Sequence, residues 1–238
     1  MKIAIVGAGR AGTSFATALT EVGHEVRLIH HDELERVGES DVVLLCVPDG
    51  AIVDVSDSLE PRDSRVVLHV AGSRGLSAVA SHPRAGFMHP LAMLSTSDLG
   101  ALRLHGATFS VGGDDVAVEL VESLKGRAIH LSDDQRVRYH ATASVAANHL
   151  VALMGHVEVL AESAGLSFND FVPLIQQALS DAVAMGAERA LTGPASRADM
   201  ETIDAHLAAI PESERSLYVA LANAAFELAE ARRLASAP

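Results

Sequence analysis

Three polar side chains recur at four-residue spacing in an Ala-rich stretch near the middle of the chain. They are His140, Ser144 and Asn148. Residues four apart lie on one face of a helix, so the three would point in one direction. Histidine is the one group among them that exchanges a proton near neutral pH. We therefore predict a catalytic face in which His140 transfers the proton and Ser144 and Asn148 form hydrogen bonds. The alternative is a polar stripe without chemistry.

Other candidate groups follow predicted strands or open a later helix. His89 and Ser73 could each hydrogen-bond a substrate carbonyl or carboxylate, and Arg197 could bind a carboxylate through two parallel hydrogen bonds. A plainer interpretation gives His89 a backbone partner and makes Arg197 part of a surface ion pair. The twelve histidines include no closely spaced metal-binding motif, so no metal site is expected.

The first two dozen residues form the element on which these groups depend. The apolar run 2–6 ends on a Gly-x-Gly-x-x-Gly, an amphipathic stretch follows, and a second apolar run begins at Val26. Strand, glycine loop, helix and strand within about 30 residues are typical of dinucleotide binding. The glycines permit a tight turn, close approach of a pyrophosphate and close helix packing, and the helix N-terminus offers free N–H groups. The predicted contacts in this loop are Gly7, Gly9, Arg10, Ala11 and Gly12.

The second strand predicts which nucleotide binds. An acid at its tip would hydrogen-bond the ribose of NAD, whereas basic neighbours accommodate the 2′-phosphate of NADP. Counting residues from Gly12 makes Asp32 that acid. Counting by strand pattern places Asp32 beyond the tip and makes His30 and His31 the tip residues, with Arg10 close by. The second count favours NADP over NAD.

The alternation of apolar runs and helical stretches continues to residue 131, and then no strand pattern remains. We predict an α/β protein with an N-terminal doubly wound Rossmann domain over 1–131 and an all-helical C-terminal domain over 132–238. Ligands bind at the carboxyl ends of such strands, where Val47, Pro48 and Gly72 would form the floor under a nicotinamide.

Composition narrows the range of partners. A formal net charge of −13 argues against nucleic acid or an anionic membrane as the main partner. The single cysteine, Cys46, lies in an apolar strand and is expected to be a buried thiol. With neither a signal peptide nor an apolar run of about 20 residues recognised, we expect a cytoplasmic protein.

These motifs together resemble a known group of proteins. The pattern resembles Rossmann-like proteins that carry the C-terminal domain of unknown function 2520. The residues that carry the resemblance are the glycine loop, Val47-Pro48-Asp49, Gly72-Ser73, His89-Pro90-Leu91, Tyr139-His140, Asn148-His149-Leu150, Leu191–Pro194 with Arg197 and Asp199, and His206-Leu207. The wider relatives are β-hydroxyacid dehydrogenases, ketopantoate reductases, pyrroline-carboxylate reductases and deazaflavin-dependent NADP reductases. The resemblance implies a helical domain like the C-terminal domain of 6-phosphogluconate dehydrogenase, and often a homodimer formed through it.

The resemblance implies an NAD(P)-dependent oxidoreductase that transfers hydride between nicotinamide and a small carbonyl, such as the 2-keto acid ketopantoate, or an imine. It departs at one position: relatives with Lys-x-x-x-Asn use the lysine as general acid, and Ser144 stands there. Asn148 matches the asparagine, so the proton would come from His140 or His89. Two alternatives stay open, a dinucleotide-binding sensor without turnover and a deazaflavin-dependent NADP reductase.

Overall fold

The computed structural model describes residues 1–235, and the chain divides into two compact units, Met1–Asn148 and His149–Pro238. The first unit alternates strands and helices. In chain order its elements are β1 (Lys2–Val6), α1 (Arg10–Glu21), β2 (Glu25–Ile29), β3 (Val42–Leu45), α2 (Ile52–Asp57), β4 (Val66–His69), β5 (Ala85–Pro90), α3 (Ser97–Leu104), β6 (Thr108–Gly113), α4 (Val116–Ser123), β7 (Arg127–His130) and α5 (Asp133–Ser144). Short 3₁₀ turns occupy Leu34–Val37, Asp49–Ala51 and Leu76–Val79.

These strands form one seven-stranded sheet with the order β2-β1-β3-β4-β5-β6-β7. Neighbouring strands are parallel except at β5 and β6, where His89 lies opposite Ser110 in an antiparallel pair. The central strands β1, β3 and β4 consist mainly of buried aliphatic residues, as a sheet covered on both faces requires. The apolar run predicted over 2–6 is confirmed as β1, and the run predicted to begin at Val26 lies in β2, which begins one residue earlier.

Two apolar clusters cover opposite faces of the sheet because side chains alternate along each strand. Ile5 and Leu44 pack with Phe15 and Leu19 of α1 in one cluster. Val6, Leu45 and Ile52 belong to the other. The predicted doubly wound Rossmann fold is thus confirmed.

The division between the units differs from the predicted boundary at residue 131. Helix α5 lies in the first unit, where Arg136 donates to the carbonyl of Ala71 and Tyr139 contacts His89. The lack of strand pattern after residue 131 marks a change of secondary structure. It does not reveal that the next helix packs against the sheet edge.

The second unit is helical over its described residues. A π-helical turn, Val145–His149, follows α5 and leads into the remaining elements. These are α6 (Leu150–Ser163), α7 (Phe168–Met185), α8 (Ala187–Ala190), α9 (Gly193–Arg197), α10 (Met200–Ala209), the 3₁₀ turn Glu212–Glu214 and α11 (Arg215–Ala235). Gly186 (φ 86°) separates α7 from α8, and Ala198 (φ 56°) separates α9 from α10, because both residues adopt positive φ.

Little of the second unit is buried. Its buried residues among 149–235 are His156, Ala161, Ala195, Ile203 and Ala229. The 18-residue helix α7 buries none of its residues, although one side is apolar. Leu174, Leu179 and Val183 of this helix are exposed by 62%, 53% and 80%.

One helical stretch, Asp133–Ser163, is long and apolar enough by length and composition to cross a membrane. The sequence interpretation found no such stretch because it counted unbroken apolar runs, whereas alanines raise the mean hydropathy here to 1.3. Length and composition alone do not separate such a helix from one that packs against protein.

Candidate active site

The order of the sheet brings the carboxyl ends of β1, β3, β4 and β5 side by side. The chain crosses from one side of β1 to the other between β2 and β3, so the strand order reverses at the β1–β3 boundary. Open α/β sheets bind ligands outside the carboxyl ends of their strands at such a point. The predicted cofactor-binding residues and Ser73 follow one of these strands, follow β2, or lie on α1, and His89 lies on β5. The predicted catalytic residues His140 and Ser144 lie on α5, and Asn148 lies in the π turn that follows it.

The glycine loop after β1 has the geometry that its sequence predicts. Gly7 has φ 110°, and a Cβ there would come within 2.6 Å of the Cys46 carbonyl oxygen. A Cβ on Gly12 would overlap the Gly7 carbonyl oxygen. A Cβ on Gly9 would meet nothing within 4 Å, so the backbone is open where a pyrophosphate would approach. These three positions fit a dinucleotide.

The N-terminus of α1 supports the same fit. The N–H groups in the first turn of a helix have no intrahelical acceptor. The N-cap here is Gly9, which has no side chain to accept from them. Arg10 is exposed and Ala11 is half-buried at this terminus. Unpaired N–H groups and the positive end of the helix dipole together favour a phosphate group.

The tip of β2 carries the three residues predicted to distinguish NADP from NAD. The strand ends at Ile29, so His30 and His31 follow directly and Asp32 lies beyond them. Asp32 turns back onto His30, with Oδ1 2.5 Å from Nδ1, and this hydrogen bond lowers the pKa of the Asp32 carboxyl. The two imidazole rings lie 4.6 Å apart and are exposed. Ligand atoms of all three residues lie within 4.8 Å of one another, so this group could hold a metal ion that the sequence interpretation does not expect.

A hydrogen bond joins the loops after β3 and β4. The Ser73 hydroxyl donates to Oδ2 of Asp49 at 2.9 Å, so this predicted substrate-binding serine already has an acceptor. Val47 is half-buried and Pro48 exposed, on the β3 side of this bond. Asp49, absent from the predicted site, therefore becomes part of the same edge.

Two histidines converge on Gly72, after β4. A Cβ on Gly72 would come within 2.8 Å of Nε2 of His89 and would also overlap Nδ1 of His140. The two rings lie 5.8 Å apart at 79°. Nδ1 of His89 contacts the hydroxyl of Tyr139 at 2.9 Å, whereas buried Nδ1 of His140 has no hydrogen-bond partner among residues 1–235. The space that a side chain at residue 72 would fill is thus occupied by imidazoles.

The electrostatics of this cluster keep His89 neutral. Burial, and after it the neighbouring His140 and Arg136, lowers the pKa of His89 to about 4. Arg136 is 1% exposed, donates to the Ala71 carbonyl at 2.6 Å and lies 3.6 Å from the ring centre of Phe87. Within the described chain its Nε and Nη1 find no acceptor. Burial also lowers the pKa of Arg136 itself.

A third histidine shapes the loop that carries Gly72. His69 is fully buried, accepts from the Ala71 N–H at 3.2 Å through Nδ1 and donates to the Gly75 carbonyl at 3.1 Å through Nε2. Burial lowers the pKa of His69 to about 4, which suits this pattern because only the neutral ring both accepts and donates. His69 is a structural residue of the site.

The predicted stripe on α5 is only partly retained. His140 and Ser144 belong to α5, but the π turn Val145–His149 follows at once. A π turn holds an extra residue, so the α-helical alignment of Asn148 with the other two is lost. Asn148 is exposed and lies at the division between the units.

Arg197 belongs to the second unit. It is the last residue of α9, is exposed, and forms no hydrogen bond or ion pair among residues 1–235. The surface ion pair expected for Arg197 is therefore absent among these residues. The carboxylate of neighbouring Asp199 caps α10 by accepting from Thr202.

Sequence reasoning missed four residues of this edge, namely Asp49, His69, Arg136 and Tyr139. The positions of two of them in the sequence could have revealed them. Tyr139 directly precedes His140, and Arg136 lies four residues before His140 on the same face of the helix. A charged residue at such a position reads as exposed, so only the tertiary structure reveals its burial.

The chain was compared with known proteins by sequence and by structure. Residues 108–225 match the family described as Domain of unknown function (DUF2520). Over these residues the match confirms the resemblance that the motifs predict. No curated protein matches the chain in sequence.

Solved structures share the fold over nearly the whole chain. A Bacteroides fragilis protein described as an NADP oxidoreductase is 21% identical with a TM-score of 0.81, over 95% of this chain and 98% of that one. A reductive aminase from Aspergillus terreus, in complex with NADPH4, cyclohexanone and allyl amine, is 20% identical with a TM-score of 0.67, over 95% and 93%. Pyrroline carboxylate reductase from Plasmodium falciparum, with NADP bound, is 12% identical with a TM-score of 0.61, over 97% of both chains. At these identities the likeness establishes the common fold.

Proposed function

We propose that this protein is an NADP(H)-dependent oxidoreductase that reduces a C=N or C=O group of a small molecule. The observation that carries the proposal is one continuous strand edge. The glycine loop lies at β1, the His30–His31 tip at β2, and the imidazole cluster at β4 and β5. Neighbouring strands lie about 4.8 Å apart, so β2 and β4 are separated by roughly 14 Å, room for an extended dinucleotide.

Different positions along this edge support separate parts of the proposal. The open Gly9 backbone and the uncapped helix α1 would bind the pyrophosphate. His30, His31 and Arg10 would bind the 2′-phosphate, which favours NADP over NAD. Bound NADPH supplies the hydride, while the chain orients the substrate and holds the proton. His140 is the proposed proton donor, with Ser144 and Asn148 as proposed hydrogen-bonding groups.

The named relatives favour a C=N substrate for the first assays. The reductive aminase and the pyrroline carboxylate reductase both act on such groups by name, whereas ketopantoate rests on the motif resemblance alone. Ser144 at the position of the general-acid lysine favours a second candidate, a dinucleotide sensor without turnover.

The deciding measurement is a calorimetric titration of the full-length protein with NADPH and with NADH. We expect tighter binding of NADPH. In Gly9→Ala the new methyl group meets open space and the backbone keeps φ −76°, so the fold should persist while the pyrophosphate is obstructed. Gly155→Ala is the matched control, since a Cβ there also meets nothing within 4 Å. Equal binding of NADPH by Gly9→Ala and the wild type would overturn the proposed site.

Turnover separates the enzyme from the sensor. NADPH oxidation is followed with cyclohexanone and methylamine, with 1-pyrroline-5-carboxylate and with ketopantoate. Reduction of any of them supports the enzyme. Tight NADPH binding without any oxidation would favour the sensor.

We also propose a homodimer formed through the second unit. Its described residues bury few side chains, and α7 presents Leu174, Leu179 and Val183 without cover. Leu179 and Val183 are four residues apart and therefore share one face of α7. Exposed apolar faces mark interaction sites, and a second copy of the same chain would cover this face equally on both protomers.

A further inference from the structure

We propose that His89 holds the reducible oxygen or nitrogen of the substrate through its Nε2–H, as a neutral hydrogen-bond donor, and that Tyr139 is the positioning residue that sets its tautomer. The inference rests on the proposed function. It assigns His89 a different task from that of His140, and it gives a role to Tyr139, which the motifs include without one.

The tautomer follows from the groups around the Tyr139 hydroxyl. Burial raises the pKa of Tyr139, and Ser110 of β6 opposes this rise as a hydrogen-bonding group on the Tyr139 oxygen. The Ser110 hydroxyl has no partner with good hydrogen-bond geometry among residues 1–235, and two acceptors on His89 lie near the Tyr139 hydroxyl. Nδ1 of His89 lies 2.9 Å away, while the His89 carbonyl oxygen lies 3.5 Å away. An O–H···O contact of 3.5 Å is too long for a good hydrogen bond, so the hydroxyl proton belongs on the bond to Nδ1. An imidazole that accepts at Nδ1 carries its own proton at Nε2 when neutral.

That Nε2–H is free to meet a ligand. Within residues 1–235 Nε2 of His89 forms no hydrogen bond, and it is not among the fully buried nitrogens that lack a partner. It lies against Gly72, directly after β4. The carboxyl end of β4 is where the reacting end of the proposed dinucleotide would lie.

The surroundings of His89 oppose its protonation. His140 and Arg136 of α5 and His69 of β4 lower its pKa in addition to burial, and Asp49 after β3 acts in the opposite direction. A proton on His89 would place a cation beside Arg136 and a second imidazole. A neutral imidazole still polarises a carbonyl, and it does so over the whole neutral pH range.

His89 and His140 have separate roles in the reduction, and together they account for its charge and its proton. A hydride adds to the substrate carbon, and the electron pair of the C=O or C=N bond moves to the oxygen or nitrogen. His89 Nε2–H stabilises that negative charge, and His140 in its imidazolium form then gives the atom its proton and becomes a neutral imidazole. Solvent returns the proton to His140. His89 keeps its own proton throughout.

The first experiment measures the tautomer itself and needs no turnover. Full-length protein labelled with ¹⁵N-histidine is studied by long-range ¹H–¹⁵N spectra, with His89 assigned through His89→Gln. We expect His89 to be neutral with the proton on Nε2 at pH 5 as at pH 7, and Tyr139→Phe to convert it to a mixture of tautomers. A proton on Nδ1 in the wild type, or an unchanged tautomer in Tyr139→Phe, overturns the inference.

The second tyrosine of the chain supplies a matched control. Tyr218 contacts Nδ1 of His206 at 2.7 Å with the two rings 5.9 Å apart, in the second unit, as Tyr139 contacts His89 in the first. Tyr218→Phe removes the same kind of hydrogen bond, and we expect it to change the signals of His206 and leave those of His89 unchanged.

The substrate-holding role is tested with the reduction of cyclohexanone and methylamine by NADPH. His89→Gln is expected to lower kcat roughly 10²–10³-fold, as removal of a donor to developing charge does. Tyr139→Phe is expected to lower kcat roughly ten-fold, the effect of one hydrogen bond, with the NADPH affinity unchanged. Unchanged kcat in His89→Gln overturns the role. If the wild type does not bind NADPH, the proposed function is overturned as well. If it binds NADPH but His89 carries its proton on Nδ1, only this inference is overturned.

Discussion

Gly72 lies so close to His89 that a Cβ there would come within 2.8 Å of Nε2. The same Cβ would overlap Nδ1 of His140, so the absence of a side chain at residue 72 is what lets the two imidazoles approach each other. Gly72 thus shapes the site because it has no side chain, and not only because a cofactor could lie against it.

Replacing that glycine should displace the imidazoles. We expect Gly72→Ala to lower the free energy of unfolding by about 1–3 kcal/mol, the usual cost of inserting a methyl group into packed surroundings. Urea denaturation measures it. Gly155→Ala, where a Cβ meets open space on helix α6, should be neutral or stabilising by up to about 1 kcal/mol. Equal stability of Gly72→Ala and the wild type would contradict the packing described.

The glycines of the first loop should differ in their effects. A Cβ on Gly12 overlaps the backbone carbonyl of Gly7, which cannot rotate away as a flexible side chain could. We expect Gly12→Ala to lower both the thermal midpoint and NADPH affinity, whereas Gly9→Ala lowers NADPH affinity alone. Thermal unfolding and calorimetry distinguish the two. The same loss of stability in both variants would show that the loop is only structural.

Buried His69 should make stability depend on pH. Its pKa is about 4 in the folded protein and about 6.5 when unfolded, so the unfolded chain binds the proton first as pH falls. Stability is therefore full above about pH 6.5 and declines towards pH 4. His69 alone would account for about 2 kcal/mol lost between pH 7 and pH 5.

Urea denaturation at the two pH values tests this contribution. His69→Gln should show a shallower decline with pH than the wild type, although it is less stable at pH 7 because of its lost hydrogen bonds. His31→Gln, at an exposed position, should keep the wild-type decline. An identical slope in His69→Gln and the wild type would exclude His69 as the cause.

Helix α7 should be the site of self-association. Val183 is 80% exposed, so Val183→Glu adds no strain to a single copy but places charge on the proposed interface. We expect light scattering to give a dimer for the wild type and the 24.9 kDa monomer for Val183→Glu. Leu102→Glu, at a 69% exposed position on α3, should remain dimeric. A monomeric wild type at micromolar concentration would defeat the proposal.

The tip of β2 should determine coenzyme preference. The double variant His30→Gln, His31→Gln should weaken NADPH binding about ten-fold or more, since hydrogen bonds to charged groups contribute about 1.5–3 kcal/mol each. NADH binding should stay unchanged. Asp32→Asn removes the carboxylate that lies against His30, and we expect it to tighten NADPH binding. Parallel losses for both nucleotides in the double variant would place the 2′-phosphate elsewhere.

Local pattern was enough for much of this protein. Glycine spacing, strand-length apolar runs and a period of 3.6 residues depend on neighbours within one or two turns. The fold of residues 1–131 and the roles of Gly7 and Gly12 in packing therefore followed from the sequence. The buried thiol expected at Cys46 also followed from local pattern. The residue is buried after β3, and burial raises the pKa of its thiol.

Contacts between distant segments decided the rest. Arg136 reads as a surface residue of a helix, yet it is buried against Ala71 and Phe87, 65 and 49 positions earlier in the chain. Tyr139 reads as a neighbour of His140, yet its hydroxyl meets His89, 50 residues away. The residue types along the chain thus determined the fold and the glycine loop. Only the tertiary structure showed that His69 and His89 are neutral, because burial lowers the pKa of both rings and Arg136 of α5 lies close to them.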